Sequence, residues 1–446
     1  MQTVRAHRGR SGLGRAKGLA IVAACATLLA GCVMGGCSAP PAPSLGTAAP
    51  SPVASAAWTP TPIPSVGGVP AGPWTGIKWI NAGSVFPRKS TGGADLAPYP
   101  TVYGWSHGFV GFTATTEGDT SGAQQDVTLI GVASPDGLHW TVGHALDAQG
   151  LQYAAIMSVV EGPAGLVAVG RGPGAICGGP PTVNALWTST DGLTWSRVTL
   201  PPDFAAASVY TVDGGTTGYI AAGTLKDGTT QVVWLSSDGS SWRQVTLASS
   251  TFGEFVVAGG VNFGGGYVVS GAVRNDAGCG ETMVTPSLWW STDGGSWTRA
   301  TLAGAAPVTE AWLTMTKISD HALMAYAEEW NETTQASSQH VWVSNDGRTW
   351  KLVGSPSKML SPGIFSNRQR GLSVLDPIVV TPSEPYGPLA IGTVGDDLSV
   401  TALSQIGDGP AVSEASTAWS AALGPTGLVV LSLDGTALWL GVPTAS

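Results

Sequence analysis

One short unit occurs five times in this chain, and that repetition restricts its possible folds more than any other feature. The unit is Ser-x-Asp-Gly-x-x-Trp, seen as Ser134-Pro135-Asp136-Gly137-Leu138-His139-Trp140 and again over Ser189–Trp195, Ser236–Trp242, Ser291–Trp297 and Ser344–Trp350. Its acids, Asp136, Asp191, Asp238, Asp293 and Asp346, recur about every 50 residues, a period at which each repeat must stack on its neighbours to bury a face. Asp-Gly is a strong hairpin signal, and an Asp carboxylate accepts hydrogen bonds from its own turn's N–H groups. In the last four copies a second tryptophan stands four residues before the Asp: Trp187, Trp234, Trp289 and Trp342. Tryptophans flanking a hairpin turn fall on strands, where they can fill the wedge between adjacent sheets. The five acids therefore read as turn-builders rather than catalysts.

Upstream of each unit runs an apolar strand, a glycine-containing turn and another apolar strand, as in Met157 to Gly170 and Gly218-Tyr219-Ile220-Ala221-Ala222-Gly223. With 63 glycines, 31 prolines and 11% charged residues in 446, strands and turns must dominate, because Gly and Pro are the poorest residues in a helix interior. No convincing helix is expected.

These units resemble the Asp-box (BNR) repeats of sialidase-like β-propellers, whose usual pattern is Ser-x-Asp-x-Gly-x-Thr-Trp; here Gly follows Asp directly in every copy. The resemblance implies an all-β propeller of four-stranded antiparallel blades. It also implies that the box lies at the turn between third and fourth strands, with ligand sites on the opposite face. Blades one to five fall at about 95–146, 150–200, 204–248, 253–302 and 309–354. The box is then lost, but weaker strand patterns continue from Ser373 to Ala415 and from Ser416 to Gly441. The last lacks a fourth strand, and Gly76-Ile77-Lys78-Trp79-Ile80-Asn81 is free to supply it. Seven blades closed in this way are expected, with six as the alternative, leaving few exposed sheet edges.

The N-terminus carries a different signal. Residues 1–31 contain Arg5, Arg8, Arg10, Arg15 and Lys17, no acid, and the apolar run Leu19 to Leu29, the layout of a secretory signal. Leu29-Ala30-Gly31-Cys32 resembles the bacterial lipobox, which implies cleavage before Cys32 and lipidation of its sulfur; Met34-Gly35-Gly36-Cys37 is a poorer match. Residues 32–73 then form a Pro/Ala/Ser-rich tether, with ten prolines and no charge between Ser38 and Pro73. Residues 74–446 are the propeller domain. A membrane-anchored protein on the extracytoplasmic side is expected. Removing residues 1–31 takes five of the 20 basic residues and none of the 29 acidic ones, leaving a formal charge of −14 and disfavouring a nucleic-acid partner.

Candidate sites lie in the loops opposite the boxes. Cys177 and Cys279 each stand 14 residues before a box Asp, in equivalent expanded loops flanking the short Leu225-Lys226-Asp227-Gly228-Thr229-Thr230. An oxidising compartment makes their disulfide the natural pairing, with separate thiols as the alternative. The connections entering blades three, four and five bring Asp203-Phe204, Glu254-Phe255 and Glu310-Ala311-Trp312 to similar places, a candidate sugar- or cation-binding rim; the bland reading makes them solvated acids and core aromatics. Glu328, Glu329 and Trp330 would extend that surface.

Working sialidases are similar to one another in an Arg triad and a Phe/Tyr-Arg-Ile-Pro motif, and here Val85-Phe86-Pro87-Arg88 has the wrong order. Arg197, Arg243, Arg299 and Arg348 fall in or after the boxes, on the wrong face. No His, Cys or acid spacing suggests a metal, and no cofactor motif is present. A surface-tethered binding or scaffold module for a glycan, peptide or protein, expected as a monomer, is the leading reading. The alternative is a glycoside hydrolase using carboxylates such as Glu254 and Glu310 as an acid and base pair.

Overall fold

Burial within a repeat is greatest in its two middle strands. In the third repeat the second strand, Gly218–Thr224, and the third, Gln231–Ser236, are buried at every position, whereas the fourth, Arg243–Thr246, is exposed at three of its four. Strands covered on both faces read as unbroken apolar runs, and an outer strand facing water does not. The structure, a computed structural model, describes residues 77–83, 101–117, 126–148, 155–171, 184–276, 282–308, 310–319, 321–331, 336–353, 373–375, 378–382, 389–394, 400–403, 419–432 and 437–444. All belong to one unit spanning 60–446.

The described strands form seven sheets. The first holds Thr101–Trp105, Gly108–Glu117, Asp126–Ser134 and Thr141–Ala145 in spatial order, each antiparallel to the next. The second holds Ala155–Gly162, Gly165–Arg171, Asn184–Ser189 and Ser196–Arg197; the third Ser208–Gly215 and the three strands above; the fourth Glu254–Phe263, Gly266–Asp276, Thr282–Ser291 and Thr298–Arg299. The fifth, Glu310–Ser319, Ala322–Asn331, Ala336–Ser344 and Thr349–Val353, carries a fifth strand, Thr301–Leu302, lying parallel on its outer edge. The sixth holds Ser373–Leu375, Ile378–Pro382, Leu389–Val394 and Val400–Leu403.

The seventh sheet is built from both ends of the domain. Trp419–Gly424, Gly427–Ser432 and Leu438–Pro443 are joined at the outer edge by Ile77–Gly83, antiparallel, with Ile80 opposite Leu440 and Gly83 opposite Leu438. The first strand of every sheet lies beside the first strand of the next, and that of the seventh lies beside Thr101–Trp105, so the sheets follow one another in a closed ring. This is the all-β propeller architecture expected from the repeat. The outer strands are short and carry Arg197, Arg243 and Arg299, which blunts their edges.

Between the sheets the core is aromatic. Of the four tryptophans preceding the boxes, Trp187, Trp234 and Trp342 are fully buried and Trp289 nearly so, and each sits in an inter-sheet cluster. Tyr219 of the third sheet donates its hydroxyl to Gly165 O of the second at 2.8 Å.

Residues 1–76, and with them the signal segment, Cys32, the tether and Trp58, lie outside the described residues, as do Cys177 and Cys279. No helix among the described residues is long and apolar enough to cross a membrane.

Candidate functional site

The boxes occupy one face of the ring and are built alike. In all five, the Ser hydroxyl donates to the Asp carboxylate at 3.0–3.1 Å and accepts the Gly N–H at 2.8–2.9 Å. The carboxylate also takes the next two backbone N–H groups at 2.7–2.8 Å, for Asp238 those of Ser240 and Ser241. Four box tryptophans, Trp140, Trp195, Trp242 and Trp350, donate to the box Gly carbonyl; Trp297 has no hydrogen-bond partner among the described residues.

These bonds set the acidities. Burial pushes the Asp238 carboxyl up, but the N–H groups of Ser241 and Ser240 and the Ser236 hydroxyl outweigh it and hold the group at about 2. The same contest leaves Asp136 and Asp346 below the usual carboxylate range. At Asp191 and Asp293 the leading influence is itself a hydrogen bond, from Thr194 and Ser296, and both are lowered. Carboxylates held so firmly in the ionised form are anchors for turns, not proton donors.

The glycine after each box Asp is required by its conformation and its surroundings. Gly137, Gly192, Gly239, Gly294 and Gly347 all have φ between 66° and 78°. A Cβ at any of them would come within 3.0 Å of the preceding sheet, at Val429, Val110, Val167, Leu235 and Val268 respectively. The residue after Asp thus both turns the chain and seats one blade on the last.

The predicted rim is only partly brought to the surface. Asp203 is exposed in a helical turn, α1 (Pro202–Ala205), but Phe204 is 0% exposed, stacked on Trp234 at 4.5 Å and edge-on to Trp242 at 5.3 Å. Phe255 is also buried, against Phe252 and Trp289. Neither ring offers a face to a ligand, so Phe204 and Phe255 are core aromatics rather than rim residues. The true counterpart of Phe204 is Phe252, from a second helical turn, α2 (Ser249–Phe252), which packs on Trp289 at 4.5 Å. Where the connection forms no such turn, the tryptophan N–H is used instead: Trp187 donates to Asp147 O at 2.9 Å and Trp342 to Ala303 O at 2.8 Å. Glu254 is exposed at the start of its strand, opposite Arg274. Glu310 and Trp312 begin the fifth sheet, opposite Trp330 and Glu328; the side chains of these four lie outside the description. Glu329 is buried beside His340, Oε2 to Nδ1 3.0 Å.

At the box-side end of the ring centre the carboxylates are committed to joining sheets. Glu161 accepts the N–H and hydroxyl of Ser106 from the first sheet. Asp213 of the third accepts Asn262 N at 2.8 Å from the fourth and pairs with Lys317 Nζ at 2.6 Å from the fifth. Among the described residues no three potential metal ligands converge.

The opposite end holds a feature that the sequence did not announce. The innermost strands of the second, third and fourth sheets each slip register near their start, at Ile156/Ser158, Val209/Thr211 and Val257/Gly259. Such bulges turn out Met157 (50% exposed), Tyr210 (46%) and Ala258. Between the first two lies a pocket of about 180 Å³. The Tyr210 hydroxyl meets Thr224 Oγ1 at 3.1 Å, Thr224 donates to Gln231 Oε1, and Gln231 Oε1 accepts Val257 N from the fourth sheet at 2.9 Å.

No protein-family model matches the chain, and no curated protein matches it. Solved structures do. The Pyrococcus horikoshii acylaminoacyl peptidase is similar at 10% identity and TM-score 0.44, over 77% of this chain and 52% of the peptidase, so the chain spans about half that protein's length. A Bombyx mori GH32 beta-fructofuranosidase aligns at 11% identity and TM-score 0.28, over 81% and 90% of the two chains. An alpha-L-arabinofuranosidase from Fusarium graminearum, in complex with an iminosugar inhibitor, aligns at 14% identity and TM-score 0.33, over 74% and 98%.

Proposed function

We propose that this protein is a membrane-tethered binding or scaffold module, lipidated at Cys32 and holding its propeller on the extracytoplasmic side. Its loop face would engage a glycan, peptide or protein, without a resident cofactor and without nucleic acid. The observation that carries the reading is on the loop face, where Met157 and Tyr210 stand exposed beside a pocket that no charged residue lines, while at the box-side end the inner-strand carboxylates Glu161 and Asp213 are spent on neighbouring sheets. A glycosidase needs two carboxyls ~5–10 Å apart, one with its proton affinity raised. Asp136, Asp191, Asp238, Asp293 and Asp346, by contrast, are all lowered by their own turns. The N-terminal signal, the lipobox-like Leu29-Ala30-Gly31-Cys32 and the acidic balance support the location and the exclusion of nucleic acid.

A glycan-array screen of the purified protein, with mass analysis of every retained sugar, tests this reading. Intact retained glycans fit the binding module. Cleaved products would replace it with a hydrolase, and Glu254 and Glu310 would then be the carboxyls to neutralise first. An array without binding directs the search to peptides and proteins.

A further inference from the structure

We propose that Met157 and Tyr210, with the pocket between the second and third sheets, form a binding site for an apolar side chain presented by a cationic peptide segment; the proposal rests on the binding-module reading and specifies its ligand. Three observations carry it.

The first is the repeated bulge. One extra residue in a strand is unremarkable, but the same slip near the start of three consecutive innermost strands places Met157, Tyr210 and Ala258 at equivalent positions, exposed. Bulges re-aim side chains and recur beside functional sites. Here they lift a thioether and a phenol ring out of strands whose adjacent residues, Ile156 and Val209, are buried.

The second is the chemistry of the pocket. Its walls include Met157, Val169, Val209 and Tyr210, with Ser158, Asn184 and Thr211 as the polar residues, and no charged residue lines it. A neutral lining rejects a carboxylated sugar. A volume of about 180 Å³ suits one side chain, below the ~300–1,000 Å³ of sites that enclose a drug-sized ligand. Tyr and Met are the residues enriched where protein interfaces are most buried, and Met adapts its shape to different apolar partners. The site is also held in place: Tyr210 is tied through Thr224 and Gln231 to the fourth sheet, and Asn184 donates to Phe204 O and Ala207 O, fixing the connection behind the pocket.

The third is charge. Asp203, Asp227 and Glu254 are exposed on this side of the ring against Lys226 and Arg274, a balance of one negative charge, and the whole chain has 29 acidic against 20 basic residues. A partner with lysines or arginines beside its apolar anchor complements that surface, and a partner with acids does not.

The test uses the full chain and three fluorescently labelled, end-capped pentapeptides: Lys-Lys-Leu-Lys-Lys, its central-Ala analogue and Glu-Glu-Leu-Glu-Glu. Fluorescence anisotropy is expected to show binding of the first and at least tenfold weaker binding of the other two. Tyr210→Ser and Met157→Ser should each weaken the first peptide at least tenfold with an unchanged urea midpoint, since both side chains are half-exposed. Affinity indifferent to the central residue, or unchanged in both variants, would overturn the proposal, as would absence of binding. A neutral oligosaccharide that binds the array and loses affinity in Tyr210→Ser would assign the site to sugars, overturning this proposal while leaving the binding-module reading intact. Cleavage of array sugars would overturn both.

Discussion

At the scale of single residues, the box glycine and the box aspartate do separable work. Gly192 has φ 73°, and a Cβ there would strike Val110, a stiff, fully buried side chain of the preceding sheet. Gly228 has the same φ of 73° with nothing within 4 Å. Gly228→Ala should therefore cost only the left-handed backbone strain, about 1 kcal/mol. Gly192→Ala should cost that plus overpacking, about 1–3 kcal/mol more, measured as the difference in urea unfolding free energy. The aspartates predict a pH dependence. The folded pKa of Asp238, about 2, lies below its ordinary value of 3.8, so the unfolded chain binds the proton more readily. The stabilisation is fully present above about pH 4 and is lost as pH falls from there through 2. Asp238→Asn should reduce the steepness of that acid loss in a melting series from pH 5 to pH 2, while an unchanged slope would mean the carboxylate is not anchored by its turn.

At the scale of elements, the connections entering the second to fifth sheets each cover a third-strand tryptophan, by a carbonyl or by an aromatic ring. In the third sheet α1 supplies Phe204, which is fully buried between Trp234 and Trp242. Phe204→Ala should cost about 3–5 kcal/mol, read by thermal or urea unfolding, with no change in what the folded fraction binds; lost binding at unchanged stability would restore Phe204 to the rim. Much at this scale was legible beforehand. Asp-Gly and the flanking tryptophans marked the hairpins, and the free segment ending at Asn81 marked the closing strand, because both depend on local residue type. The bulges at Met157, Tyr210 and Ala258 were not legible, because an extra residue in an apolar strand leaves the composition unchanged. The pairing of Phe204 with Phe255 misled for a related reason. Both follow an acid, but the geometry that matters is the helical turn before the strand, and that aligns Phe204 with Phe252.

At the scale of the whole molecule, the ring divides its labour between faces. The box face is built from turns, inter-sheet glycines and the Glu161 and Asp213 contacts, while the opposite face carries the exposed bulges and the acids Asp203 and Glu254. Closure depends on Ile77–Gly83 pairing with Leu438–Pro443. Replacing Trp79 and Ile80 by proline, which cannot donate to a ladder, should lower the unfolding midpoint and leave a sheet edge open. Concentration-dependent association in sedimentation velocity would follow; a stable, monodisperse variant would show that the ring closes without this strand.

The division between faces is tested most directly by measuring stability and peptide affinity together in Gly192→Ala and Tyr210→Ser. The account predicts that Gly192→Ala lowers the urea midpoint while its folded protein binds Lys-Lys-Leu-Lys-Lys as the parent does, and that Tyr210→Ser keeps the midpoint and loses at least tenfold in affinity. If the box-face variant loses affinity while folded, or the loop-face variant binds unchanged, the division is contradicted.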